Sequence, residues 1–142
     1  MDMQFALPTG YADVLFERPG TQYASLAEHR RRVFALIGDF HRAVARPRGL
    51  NDAIGILQTI LPCSGAYFAV VESLLNKITA AGAAPHRDQH RQILSEMQQT
   101  LDRCAAPGAK PVAADLAHAL DALVMHEAAI RLRESSDVGS AR

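Results

Sequence analysis

The chain has 142 residues and a formal net charge of +0. This length suits one domain with a modest core, and the charge balance projects no long-range field toward nucleic acid or an acidic membrane. With 49% apolar residues the composition is that of a globular chain.

Residues 1–24 contain Pro8, Gly10, Pro19 and Gly20 and predict an irregular arm. The start, MDMQFALPTGYAD, lacks the basic opening and unbroken apolar stretch of a signal peptide. No apolar run is expected to be long enough to cross a bilayer, so the expected location is the cytoplasm, with no membrane partner. In that compartment Cys63 and Cys104 are expected as free thiols, since they show no close zinc-ligand spacing.

The first helix is expected from Ser25, where S-L-A-E forms a capping box: Ser25 bonds forward and Glu28 reaches back. Leu26, Val33, Leu36, Ile37, Phe40 and Val44 recur at helical spacing, with His29 on the same stripe. R-P-R-G at 46–49 ends it. A second helix starts near Asn51 and shows Leu57, Ile60, Tyr67, Val71, Leu74 and Ile78 on its inner face. Pro62 predicts a kink rather than a break, because the pattern keeps its phase across it. The A-A-G-A-A segment at 80–84 closes this helix, and Pro85 suits the first position of a third. After a loop at 106–111, a fourth helix carries Leu116, Leu120, Leu123, His126 and Ile130 inward. The tail, residues 135–142, is expected to be flexible. Four amphipathic helices with short connections predict an all-α, antiparallel up-down-up-down four-helix bundle over residues 25–134.

"PHRDQH" places His86 and His90 four residues apart, one turn apart on one helix face. Two imidazoles so placed can chelate a metal, although such a pair alone is more often solvated or hydrogen-bonded. The pair is in phase with Ile93, Met97 and Leu101, His126 with Leu123 and Ile130, and His29 with Leu26 and Val33. Burying four imidazoles without partners costs on the order of 1–3 kcal/mol each, and a metal satisfies several at once. Met97 is expected as core packing. His29–Arg32, H-R-R-R, is expected as a solvated face, and His41 and His118 as surface residues. Cys63 lies one turn before Tyr67 and can line the same cavity. Glu72 and Glu127 are expected to point away from the inner face, although a local shift near Pro62 would bring Glu72 to the site. No phosphate loop or Ser-His-Asp order can be read.

These motifs together resemble the hemerythrin family of four-helix, non-haem di-iron proteins. That family has a His on helix one, H-F-x-x-E on helix two, H-x-x-x-H on helix three and H-x-x-x-x-D on helix four. Here His29 in "LAEHRRRVFALI", the stretch "YFAVVESLL", "PHRDQH" and His126 in "VMHEAAIR" stand in the corresponding places. The resemblance implies metal ligands at His29, His86, His90 and His126. It also shows departures. Tyr67 stands for the helix-two His, Val71 for one bridging carboxylate and Arg131 for the other. Two iron ions held close together need bridging anions, so the lost positions Val71 and Arg131 argue against a di-iron, dioxygen-carrying centre.

The expectation is one transition metal, iron or zinc, held by His86, His90 and His126, with Tyr67, Glu72, Cys63 or His29 as further ligand or pocket residue. The implied role is binding or sensing of dioxygen, nitric oxide, redox state or the metal itself. A small diatomic ligand is the implied partner, and no nucleic acid is. The rival is a degenerate, metal-free helical bundle serving as a regulatory or protein-interaction module. A small metalloenzyme with an open coordination position is a third reading.

Overall fold

Frequent Ala, Leu and Arg with little β-branched alternation favour helix. The computed structural model describes the backbone of residues 21–78 and 80–140 and the side chains of 25–77 and 84–130. It contains no strand among the described residues. Helix α1 spans Thr21–Ala45, α2 Leu50–Ile78, α3 Ala80–Ala105, the short α4 Ala113–Ala117 and α5 Asp121–Ser140. Helix α1 packs on α2 and on α4, and α2 packs on α3.

Several boundaries differ from expectation. Residues 1–20 of the expected arm lie outside the described residues, but from Thr21 the chain is already α1, so Ser25 is a helix-interior residue and not the cap. The physical reason is that nothing between Thr21 and Ser25 opposes helix. Helix α2, as expected, is not broken at Pro62. Helix α3 begins at Ala80, so Pro85 lies inside it. The alanine-rich segment expected to end one helix instead begins the next, because Ala has the highest helix propensity. Helix α5 continues to Ser140, into the stretch expected as a tail.

The expected fourth helix is broken in two. Val112 N–H donates to the Asp115 carboxylate at 2.9 Å, so the side chain reaches back to start α4. Ala119 N–H then turns back to Leu116 O at 3.1 Å, and Asp121 N–H to His118 O at 3.2 Å, before α5 takes over. The exposed His118 Nδ1 meets Asp121 Oδ2 at 2.7 Å across this break.

The link between α1 and α2 is built on Gly49. Arg46 N–H bonds to Ala43 O and Gly49 N–H to Arg46 O, each at 3.2 Å, and Gly49 O receives Ala53 N–H at 2.8 Å. A Cβ at Gly49 would lie 1.9 Å from Ala43 O, a backbone atom that cannot move aside cheaply. Gly49→Ala should therefore destabilise the fold by roughly 2 kcal/mol or more, measured by urea unfolding. A change under about 0.5 kcal/mol, the range of surface substitutions, would mean that the link is not this tight.

The core gathers Leu26, Val33 and Phe40 from α1, Leu57, Ile60, Phe68 and Leu75 from α2, Ile93 and Met97 from α3, and Leu116, Leu120, Leu123 and Ile130 from the last segment, all buried. Each such side chain contributes about 1.5–3 kcal/mol relative to exposure. Contrary to the expectation of no such run, Leu50–Lys77 is long and apolar enough, by length and composition, to cross a bilayer. Scattered polar residues such as Gln58, Thr59 and Glu72 interrupt the run without lowering its average enough. One face of this helix is nonetheless committed to the core.

Candidate metal centre

Helix α3 directs one stripe inward: His86, His90, Ile93, Met97 and Thr100 are all buried, at alternating spacings of four and three. Helix α5 does the same with Leu123, His126, Glu127 and Ile130. The two stripes bring His86, His90 and His126 together, with one ring nitrogen from each lying within 4.8 Å of the others. Ring centroids are 4.2 Å apart for His86–His90, 4.9 Å for His86–His126 and 5.0 Å for His90–His126. The Nε2 atoms of His90 and His126 are 3.2 Å apart. Two nitrogens each about 2.0–2.1 Å from a tetrahedral zinc are separated by roughly 3.3 Å. The group can hold one metal ion.

Helix α2 supplies the wall. The Phe68 ring stacks flat on His90, with centroids 3.8 Å apart and an interplanar angle of 2°, and presents its edge to His126 at 5.9 Å. One turn further along α2, Glu72 Oε2 lies 3.5 Å from His90 Nδ1. Burial raises the Glu72 carboxyl above its ordinary value, and Arg87 and Arg91 oppose that shift.

Burial also keeps the three imidazoles neutral. His86 is pushed down to about 4 by burial, and His126 to about 3 by burial and then by His86. His90 is lowered by burial and then by its two histidine neighbours. Neutral imidazole is the form that ligates. Protons should therefore compete for the folded site only near pH 4, not below about 6.5 as an ordinary histidine implies. Metal affinity measured by competition should be nearly constant from pH 7 to 6, and a tenfold loss over that interval would show that these rings titrate normally.

The other expected site residues are placed differently. His29 is half-buried and outside the group of three. It flanks one side of the α1 stripe while Arg30 flanks the other, and it is Arg30 that reaches the core, with Nε 3.7 Å from Glu127 Oε2. The expectation that His29–Arg32 is wholly a solvated face fails at Arg30, whose side chain is only 16% exposed. Its guanidinium also lies 5.4 Å from the Phe34 ring centroid. Tyr67 is buried, and its hydroxyl donates to Glu127 Oε2 at 3.2 Å. Burial first, and then the Glu127 charge, push its phenol pKa up despite Arg30, which favours the protonated hydroxyl that donates to Glu127. Val71 is buried in the core, whereas the Arg131 side chain lies outside those described. Cys63 and Cys104 are free, half-buried thiols, and Cys63 packs against the core. His41 and His118 are exposed, as expected.

Glu127 corrects the reading most. It was expected to face outward but is 2% exposed. Leu116, Leu120, Leu123, Glu127 and Ile130 follow one another at spacings of four, three, four and three, a signal that places Glu127 on the inner stripe. Phe68, missed as a wall of the site, was legible in the same way from Phe68, Val71 and Leu75.

Comparison of the chain with protein families, with curated proteins and with solved structures gives no match.

Proposed function

We propose that the chain is a metal-binding helical protein in which His86, His90 and His126 take one transition metal ion, iron or zinc. Its role in this reading is binding or sensing of a small diatomic ligand, redox state or the metal itself. The observation that carries the proposal is the convergence of three buried imidazoles from two helices, with one ring nitrogen of each within 4.8 Å of the others. Three imidazoles leave a coordination position for an exogenous ligand.

The hemerythrin-like up-down-up-down bundle is part of the same proposal and rests on the residue pattern. A single ion fits better than two. Val71 supplies no carboxylate, and the core carboxylate, Glu127, is engaged by Arg30 and Tyr67. In this reading α2 is the core helix of a cytoplasmic protein, and nucleic acid and membrane are not partners.

A second reading is favoured by one distance. His90 Nε2 and His126 Nε2 are 3.2 Å apart, so one ring can donate to the other without metal, as a metal-free interaction module requires. Thermal melts separate the two readings. At a hundred-fold excess over its dissociation constant, zinc should stabilise the fold by about 2.7 kcal/mol, and chelator should abolish the gain. Melts of the apo-protein that zinc leaves unchanged would favour the module.

A further inference from the structure

We propose that Glu72 is a positioning residue of this centre, fixing the tautomer and orientation of His90 so that Nε2 faces the metal. The inference rests on the metal-binding reading above. The His90 ring is held on three sides by chemically distinct groups. Its Nε2 points to His126 Nε2 at 3.2 Å, and its Nδ1 faces the Glu72 carboxylate at 3.5 Å. Its flat face lies on Phe68. Phe68 and Glu72 are one turn apart on α2, and His86 and His90 are one turn apart on α3. Phe68 and Glu72, one turn apart, thus meet the His90 ring from two directions.

The chemistry follows from the two ring nitrogens. A neutral imidazole carries one proton, and its ligating nitrogen must be the bare one. A carboxylate facing Nδ1 favours the proton there, which leaves the Nε2 lone pair for the metal. The same negative charge makes the ring a better donor to a cation. At 3.5 Å from a neutral ring the contact is a long polar approach rather than a short hydrogen bond. It is expected to shorten when charge is drawn from Nε2. Glu72 is not itself placed among the three clustered ligand residues. Its side chain is 22% exposed, against 2% for His90, so it joins the buried ring to the surface between α2 and α3.

The test uses two measurements on the whole chain, in wild type, Glu72→Gln and Glu72→Ala. The first needs no metal: long-range ¹H–¹⁵N spectra of the imidazoles in chelator-treated protein near pH 7. Wild type should show His90 protonated on Nδ1. Glu72→Gln should keep that tautomer, because the amide oxygen still accepts, and Glu72→Ala should shift it toward Nε2–H. The second is affinity for Co(II) and Zn(II), by competition with a chelating dye. Glu72→Ala should bind about 10- to 100-fold more weakly at unchanged stoichiometry, with Glu72→Gln recovering most of the loss. Wild-type affinity in Glu72→Ala, or a wild-type His90 carrying its proton on Nε2, overturns the proposal. If wild type shows the Nδ1–H tautomer but binds neither ion, the metal reading fails, and Glu72 is left as a structural partner of His90 with no positioning role.

Discussion

Metal-free protein should lose stability steeply as the pH falls below 6.5. His86, His90 and His126 all have folded-state pKa values lowered from 6.5, to about 4 for His86 and about 3 for His126. In the unfolded chain the same rings take up protons near 6.5. Between that value and about 4 the unfolded state therefore binds more protons than the folded one, and stability falls with pH. Each ring contributes up to about 1.4 kcal/mol per pH unit, so the three together approach roughly 4 kcal/mol per unit. Against a total stability of about 5–15 kcal/mol, acid unfolding should be well advanced by pH 4.5. Urea unfolding at pH 7.0, 6.0, 5.5 and 5.0 measures the slope directly. Replacing His126 by Leu should lower it by about one ring's share. Stability unchanged from pH 7 to 5 would mean that the rings are hydrated or already charged in the folded state.

The other large effect is expected at Arg30. Its guanidinium lies 3.7 Å from the carboxylate of Glu127, which is itself 2% exposed. Arg30→Ala removes that cation, while the Tyr67 hydroxyl still donates to the buried carboxylate. Breaking a buried pair from one side costs about 3–5 kcal/mol, because the remaining charge loses a compensating partner. The partial exposure of Arg30 puts the expected cost near the lower end, roughly 3 kcal/mol. Glu127→Gln keeps an acceptor for Tyr67 and removes the charge. The double variant should therefore be clearly more stable than Arg30→Ala alone, with a coupling of at least about 1 kcal/mol. If Arg30→Ala costs under about 0.5 kcal/mol, the range of exposed pairs, the pair is a surface contact.

The helical class and the inward course of His86, His90 and His126 were legible because each histidine shares a stripe with large apolar residues. The break between α4 and α5 was not. No Gly or Pro stands between Val112 and Ile130, and the apolar spacing runs through the break undisturbed. The start of α3 was misplaced because Pro85 reads as a first-turn residue, while the alanines before it carry the helix back to Ala80. Two charged residues stand elsewhere than expected. Helical phase points Glu127 away from the inner face and the basic run points Arg30 to solvent, but each compensates the other, which is the condition under which charges are buried. His29 shared its stripe with Arg30, and local spacing does not say which of two adjacent flanking residues reaches the core.

The most direct test of the central claim is the metal content of protein expressed in the cytoplasm and purified without added chelator, measured with the zinc stoichiometry of the apo-protein. About one ion per chain is expected in wild type, falling to near zero in His90→Ala while the helical content is kept. No bound metal in wild type, or binding unaffected by His90→Ala, would contradict the account.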